Sequence, residues 1–495
     1  MIYYCIILFV KVKEGDLFRR NHNLLVISLL SLHNIGDAPR TDDTDLKLQE
    51  NPMLFQKEYI TGSLMPRIQE LWQSAECTFP PFLTEINAGE KGTNEKWITE
   101  STERIRLHLK AFPSRSAFTF PNKKGSERIT PRQQIWLKET ESLFHSLLLT
   151  EPVLGIRNAL SPQTLDAFQD KIKQFLRKVR SFAPDMELED MGQAIRNYMV
   201  YAIFREQNGL PQKCSSSIFG YSMLYPFTDN FLDDPSHTEE EKIHYNKLIH
   251  HRISGLPVTP LSLHEEKTAM LLDAIAADYP GPEADEAYGA EAAADIRQGL
   301  LLMLEAQEIS QKQTDASLSL TEKNILDISI YKGGLSVLID RYFINCKMTE
   351  QDALFYFGFG FLLQICDDLQ DIAQDRESGS RTLLSRCQTP EEREDVVNRL
   401  FHYTDRLFHF SPPSSAAFRN FLLQNCFQLI LSSAAGSGDF FSSSYLEGLE
   451  RAFPVSFSYL KQTKEKMPAA FSAGKPADQN RMMDMLDAVL SESPS

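Results

Sequence analysis

Two stretches of this sequence place carboxylates at a spacing that could do chemistry. In YSMLYPFTDNFLDDPSHTEEEK, residues 221–242, Asp229 and Asp233 are four apart, with Asn230 beside the first and Asp234 beside the second. In GFLLQICDDLQDIAQD, residues 360–375, Asp367 and Asp371 repeat that spacing, with Asp368 beside the first and no Lys or Arg before Arg376. Residues four apart on a helix share a face, so each pair is a small oxygen-rich surface at the end of an apolar or aromatic run. Like charges at this spacing cost roughly 0.2–0.5 kcal/mol when exposed, and partial burial raises that to several kcal/mol for an uncompensated ion. A cation is the simplest offset. A solvated acidic helix end would explain one such cluster; two of the same geometry point to a pair of facing walls. Magnesium suits such walls, because it takes one or two carboxylates, several waters and the phosphate oxygens of a substrate. Metals held there neutralise a diphosphate as its carbon–oxygen bond breaks. An apolar interior beneath would hold the hydrocarbon, and aromatic faces stabilise a cation without attacking it.

The elements that position these pairs read as helices. SPQTLDAFQDKIKQFLRKVRSF, residues 161–182, opens with Ser161 as N-cap and Pro162 in the first turn. Leu165, Phe168, Ile172, Phe175, Leu176, Val179 and Phe182 recur at helical spacing, and the Lys/Arg run 171–180 reads as the solvated face. Similar patterns cover 263–278, 291–313, 321–331, 335–345, 350–375 and 391–409. The acidic Pro/Gly segment 279–289, FSPPSS (410–415) and GSGDFFSSS (436–444) read as loops. No series of alternating strands and no short repeat is evident. The expectation is an all-α protein: a large helical bundle with a helical N-terminal elaboration. Residues 1–52 differ in texture and read as an irregular extension, or as sequence ahead of a start at Met53. Residues 53–200 form the N-terminal helical region and 201–495 the main domain.

Composition narrows the function. The chain has 495 residues, 42% of them hydrophobic, enough for a sizeable core. A net charge of −16 argues against general nucleic-acid binding, though not against an anion held in a local pocket. The seven cysteines (5, 77, 214, 346, 366, 387, 426) form no CxxC, so neither a zinc signature nor a disulfide framework is present, and a reducing cytoplasm fits. No apolar run reaches the ~18–20 residues of a membrane span. Glu241 and His244 form one ExxH, but a di-iron bundle needs two.

GFLLQICDDLQD reads G-x-x-x-Q-x-x-D-D-x-x-D through Gly360, Gln364, Asp367, Asp368 and Asp371. It resembles the second aspartate-rich motif of the trans-prenyltransferases (polyprenyl synthases) in the class I isoprenoid synthase family. DNFLD (229–233) is similar to that family's first motif, with Asn230 at the middle position. YKGG (331–334) resembles the segment carrying a diphosphate-contacting Lys, here Lys332, and GSRTL (379–383) resembles the loop after the second motif, with Arg381 in place of Lys. The likeness spans roughly 200–400. It implies the isoprenoid synthase bundle, an allylic prenyl diphosphate as substrate, and two or three Mg²⁺ ions on Asp229, Asp233, Asp367, Asp368 and Asp371. Asp229, Asp233, Asp367 and Asp371 would carry the catalysis. Lys332, Gln364, Arg252 and Arg381 are the expected polar contacts to substrate, the arginines because a guanidinium fork matches phosphate oxygens. Tyr225, just before the first motif, and Phe359, two turns before Asp367, are expected along the chain cavity, and Lys332-Gly333-Gly334 reads as a broken helix. A homodimer is the assembly held open.

The pattern also departs from the chain-elongating members. PSHTEEEK follows the first motif where they carry Arg-Arg-Gly, and PNKKGSERITP (121–131) is a poor stand-in for their upstream Gly-Lys-Arg. Ionisation followed by cyclisation, as in a terpene synthase on the same plan, therefore stands beside prenyl transfer. The alternative from another class is a non-catalytic relative that binds, or serves as a partner subunit.

Overall fold

The computed structural model describes residues 54–113, 130–153, 155–234, 236–278, 286–463 and 476–491. The extension read over 1–52 lies outside them. So does the 279–289 loop up to residue 285, after which the chain is helical. The protein is all-α, as expected: among the described residues there is no strand. No helix among them is long and apolar enough to cross a membrane. The chain divides into two compact units.

One unit joins Thr84–Gly192 to the segment from Glu450 onward. Its helix Pro162–Phe182 begins where the sequence predicts, with Ser161 Oγ accepting from Thr164 N at 3.1 Å. The apolar stripe is the buried one, through Phe168, Ile172, Phe175, Leu176 and Val179. The basic run is less free than expected. Lys173 pairs with Glu141 at 2.8 Å, Arg180 with Asp487 at 2.9 Å, and Arg177 donates to the Leu490 carbonyl. The unit's core joins Ile105, Trp136, Phe144 and Leu147 to Met485 and Val489 near the C-terminus.

The other unit holds, of the described residues, 54–83 and Gln193–Leu449. Seven of its helices position the acidic pairs: α1 (Ser216–Asp233), α2 (Glu239–Ile253), α3 (Leu263–Asp278), α4 (Glu286–Ser310), α5 (Glu322–Tyr342), α6 (Glu350–Gln370) and α7 (Ile372–Ser378). Their starts follow from local chemistry. Thr238 and Glu241 close a capping box at α2, Thr321 and Asn324 at α5, and Thr349 and Asp352 at α6. Glu241 of the ExxH is thus a cap residue, and His244 instead meets Glu265 at 3.0 Å.

Two expectations are corrected. First, α5 runs unbroken through Lys332-Gly333-Gly334. The glycines serve a helix crossing: a Cβ on Gly333 would lie 2.5 Å from the Gly360 carbonyl oxygen, and one on Gly334 would strike the Phe357 ring. Second, the helix expected over 350–375 breaks at Asp371, where φ is −101° and ψ is 15°. Ser437 Oγ bonds the Leu369 carbonyl at 2.7 Å and the Gln370 carbonyl at 3.2 Å, capturing the acceptors a further turn would use.

Candidate active site

The first wall is the end of α1. Asp229, half-buried, lines a cavity between α1 and α4, with about 730 Å³ of empty space including open solvent. Below it the wall is largely apolar: Leu224 and Leu232 from α1, Ile249 and Ile253 from α2, Leu272 from α3 and Leu300 from α4. Tyr225 lines the same cavity. The side chain of Asp233 lies outside the described residues. Asp234 caps the turn that follows, accepting from Ser236 N at 2.8 Å.

Polar contacts fix the level of this wall against α5. Tyr225 Oη meets Ser336 Oγ at 2.9 Å, and Tyr221 Oη donates to the Ser336 carbonyl at 3.2 Å. Asn197 donates to both Ser222 Oγ and Asp340 Oδ1, at 3.2 Å each. Stepping back along α1 therefore means stepping forward along α5, so the two are antiparallel. Asp229, one turn beyond Tyr225, comes level with Lys332, one turn before Ser336.

The second wall is the end of α6 with α7. The glycine crossing brings Lys332 beside Gln364 and Asp368. Gln364 Nε2 donates to Asp368 Oδ1 at 2.9 Å, while Asp368 Oδ2 is buried with no hydrogen-bond partner. Burial pushes the Asp368 carboxyl well above the usual carboxylate range, the charges of Asp375 and Asp367 add to this, and Lys332 opposes it. Asp375 behaves alike: burial raises it to about 6, against a hydrogen bond from Thr382 Oγ1 at 3.1 Å and the nearby Lys332. Asp367 is half-buried beside them, and Asp371 occupies the break between α6 and α7. Lys332 thus faces a group of acids. Asp375 lies outside the DDLQD motif, although it continues the 367–371 step by four more residues. Thr382, which holds it, lies in the GSRTL loop.

Three expected substrate contacts are engaged elsewhere. Arg252 pairs with Asp273, its Nε 2.7 Å from Oδ1. Arg381 staples the connection after α4: its Nε donates to the Gln313 carbonyl (3.0 Å), Nη1 to Leu318 (2.5 Å) and Nη2 to Lys312 (3.0 Å) and Asp315 (2.6 Å). Those carbonyls consume the fork that phosphate would need. Phe359 packs against Phe204 and Phe355, with centroids 5.5 and 5.8 Å away, and does not line the cavity. Because α6 is buried on nearly every side, its aromatic residues carry no facial signal.

The donors fit a hard divalent ion in type. Carboxylate oxygens dominate, and the orphaned Asp368 Oδ2 is an acceptor with capacity to spare. Among the described residues, however, no three His, Cys, Asp or Glu side chains are grouped so as to hold a metal ion by themselves. Magnesium does not require that, since water and phosphate complete its shell.

Behind Tyr221 and Tyr225 lies a further acid, Asp340, 1% exposed, which burial holds well above the usual carboxylate range. The unfolded chain ionises this residue near pH 4, while the folded protein keeps the proton to higher pH. Stability from this site therefore falls as pH rises through that window, by about 1.4 kcal/mol per pH unit. Asp340→Asn has no proton to lose and can still accept from Asn197. Urea unfolding at pH 5 and pH 8 should show the variant gaining on the wild type at the higher pH. A constant difference would place the buried charge elsewhere.

No protein-family model matches the chain, and no curated protein is similar enough to count as a relative. Among solved structures, the geranylgeranyl pyrophosphate synthetase of the archaeon Geoglobus acetivorans aligns at 16% identity over 53% of this chain and 98% of its own, with a TM-score of 0.34. A likeness that loose establishes nothing about activity.

Proposed function

We propose that this protein is a Mg²⁺-dependent class I isoprenoid synthase that ionises an allylic prenyl diphosphate. The reading is carried by Asp229 on the wall of an apolar cavity and by Asp367, Asp368 and Asp375 around Lys332, the contact of Tyr225 with Ser336 setting the two walls against each other. A diphosphate lying there would have its hydrocarbon directed into the cavity.

In this reading Asp229 and Asp233 hold metal on one side, and Asp367 and Asp371 on the other. Bound there, two or three Mg²⁺ ions would neutralise the charge that builds on the diphosphate as its bond to carbon breaks. Lys332 donates to a diphosphate oxygen. Gln364 keeps Asp368 turned toward Lys332. Leu224, Ile249, Leu272 and Leu300 exclude water, so the cation survives until an alkene captures it, in the same molecule or a second one. The Tyr225 ring offers a π face that does not react.

A second reading is a chain that binds a prenyl diphosphate, or serves as a partner subunit, without turnover; the acidic PSHTEEEK that follows the first acidic pair favours it. Diphosphate release separates the two. Purified protein with Mg²⁺ would be given geranyl, farnesyl and geranylgeranyl diphosphates, each with and without isopentenyl diphosphate, and products identified by mass spectrometry. Release from an allylic substrate alone, with a hydrocarbon or alcohol product, means cyclisation or lysis. Release only with isopentenyl diphosphate, giving a longer diphosphate, means chain elongation. Binding without release from any substrate would favour the second reading.

A further inference from the structure

One polar group in the cavity wall is unexplained by packing. On α2, Asn246, Ile249 and Ile253 follow at i, i+3 and i+7 and all line the cavity. The two isoleucines need no account. Asn246 does: its Oδ1 is buried and has no hydrogen-bond partner. A buried carbonyl oxygen left unpaired is costly, and Leu would fill similar space without that cost. Such an oxygen is tolerated where a ligand supplies the missing positive charge.

Its level is set by its neighbour. Tyr245 Oη donates to the Phe227 carbonyl at 3.1 Å, and its ring lies 4.3 Å from that of Phe231. Asn246, next along α2, therefore stands level with Thr228–Leu232 and lines the cavity together with Asp229, whereas Tyr221 is two turns back along α1. At that level a prenyl diphosphate presents its allylic head. A hydrocarbon head has no N–H or O–H to donate. What it acquires, when the carbon–oxygen pair leaves with the diphosphate, is positive charge spread over the allyl carbons.

We infer that Asn246 is a catalytic residue whose side-chain carbonyl dipole stabilises the allylic cation; this rests on the synthase reading above. Asn246 forms no bond and moves no proton. Its dipole is fixed before the charge appears, so it favours the transition state over the ground state.

The test is steady-state diphosphate release from the preferred prenyl diphosphate by wild type, Asn246→Leu and Asn246→Asp. Leu should lower kcat about 10- to 100-fold with KM within about threefold, and should unfold at the same or higher temperature because the orphaned oxygen is gone. Asp, which keeps an oxygen in place, should recover at least tenfold over Leu. If Leu fails to fold, Asn246→Ser, which has a hydroxyl but no carbonyl, should show the same kcat loss. A wild-type kcat in Leu or Ser would overturn the inference and leave the synthase reading standing. So would a raised KM in both Leu and Asp at unchanged kcat, which would assign Asn246 to diphosphate binding through its N–H. No release by the wild type from any prenyl diphosphate would remove both.

Discussion

Asp367→Ala is expected to lower diphosphate release by about 10³-fold without destabilising the protein. Removing one preorganised charge stabiliser from an active site typically costs 10²–10³-fold, and Asp367 is asked to hold metal on the wall nearest Lys332. Its structural role runs the other way. Its charge raises the carboxyls of Asp368 and Asp375, so it repels these two acids. Losing it should leave the melting temperature unchanged or slightly higher. Asp229→Ala should lose turnover in the same way, since it is asked to hold metal on the α1 wall. Turnover rates with saturating Mg²⁺, read beside thermal unfolding, make the check. Near-normal turnover in both variants would sink the synthase reading, while turnover lost together with the fold would not test it.

Gly360→Ala is expected to be the most damaging small substitution in the structure. A Cβ there would lie 2.7 Å from the carbonyl carbon of Gly333 and closer still to its oxygen, with the Gly334 Cα at 3.1 Å. All three are backbone atoms within helices, so none can swing aside. The helices must separate, at a cost of about 3 kcal/mol, the upper end of the usual range for overpacking. Separation also moves Lys332 away from Gln364 and Asp368, so diphosphate release should fall further than stability alone requires. Gly62 is the control, because a Cβ there meets nothing within 4 Å. Urea unfolding of Gly360→Ala and Gly62→Ala decides it. A Gly360→Ala variant within about 0.5 kcal/mol of wild type would mean the crossing is looser than described.

What the sequence made legible was local. The cap and stripe of Pro162–Phe182 involve residues a few positions apart, and so does the i, i+4 carboxylate spacing. What it hid was tertiary. Gly333-Gly334 looks like a helix break until α6 is laid across it. The α6 break at Asp371 depends on Ser437, far along the chain. Arg381 looks like a phosphate ligand because nothing in its own segment reveals the carbonyls of Lys312–Leu318 waiting for it. Asn246 sits in EEEKIHYNKLIHHRI, where one more polar residue is unremarked, and only the cavity singles it out.

The discontinuous unit has a consequence for synthesis. Ile105, Trp136, Phe144 and Leu147 are made long before part of their cover, Met485 and Val489. Some 338 residues separate Leu147 from Met485 (485 − 147). At about 5–20 residues per second, that is roughly 17–70 s of translation, far longer than helices need to form. Throughout that interval an aromatic face waits while the whole of Gln193–Leu449 is made. The helix Pro476–Ser491 closes a surface that nascent-chain chaperones have had tens of seconds to find.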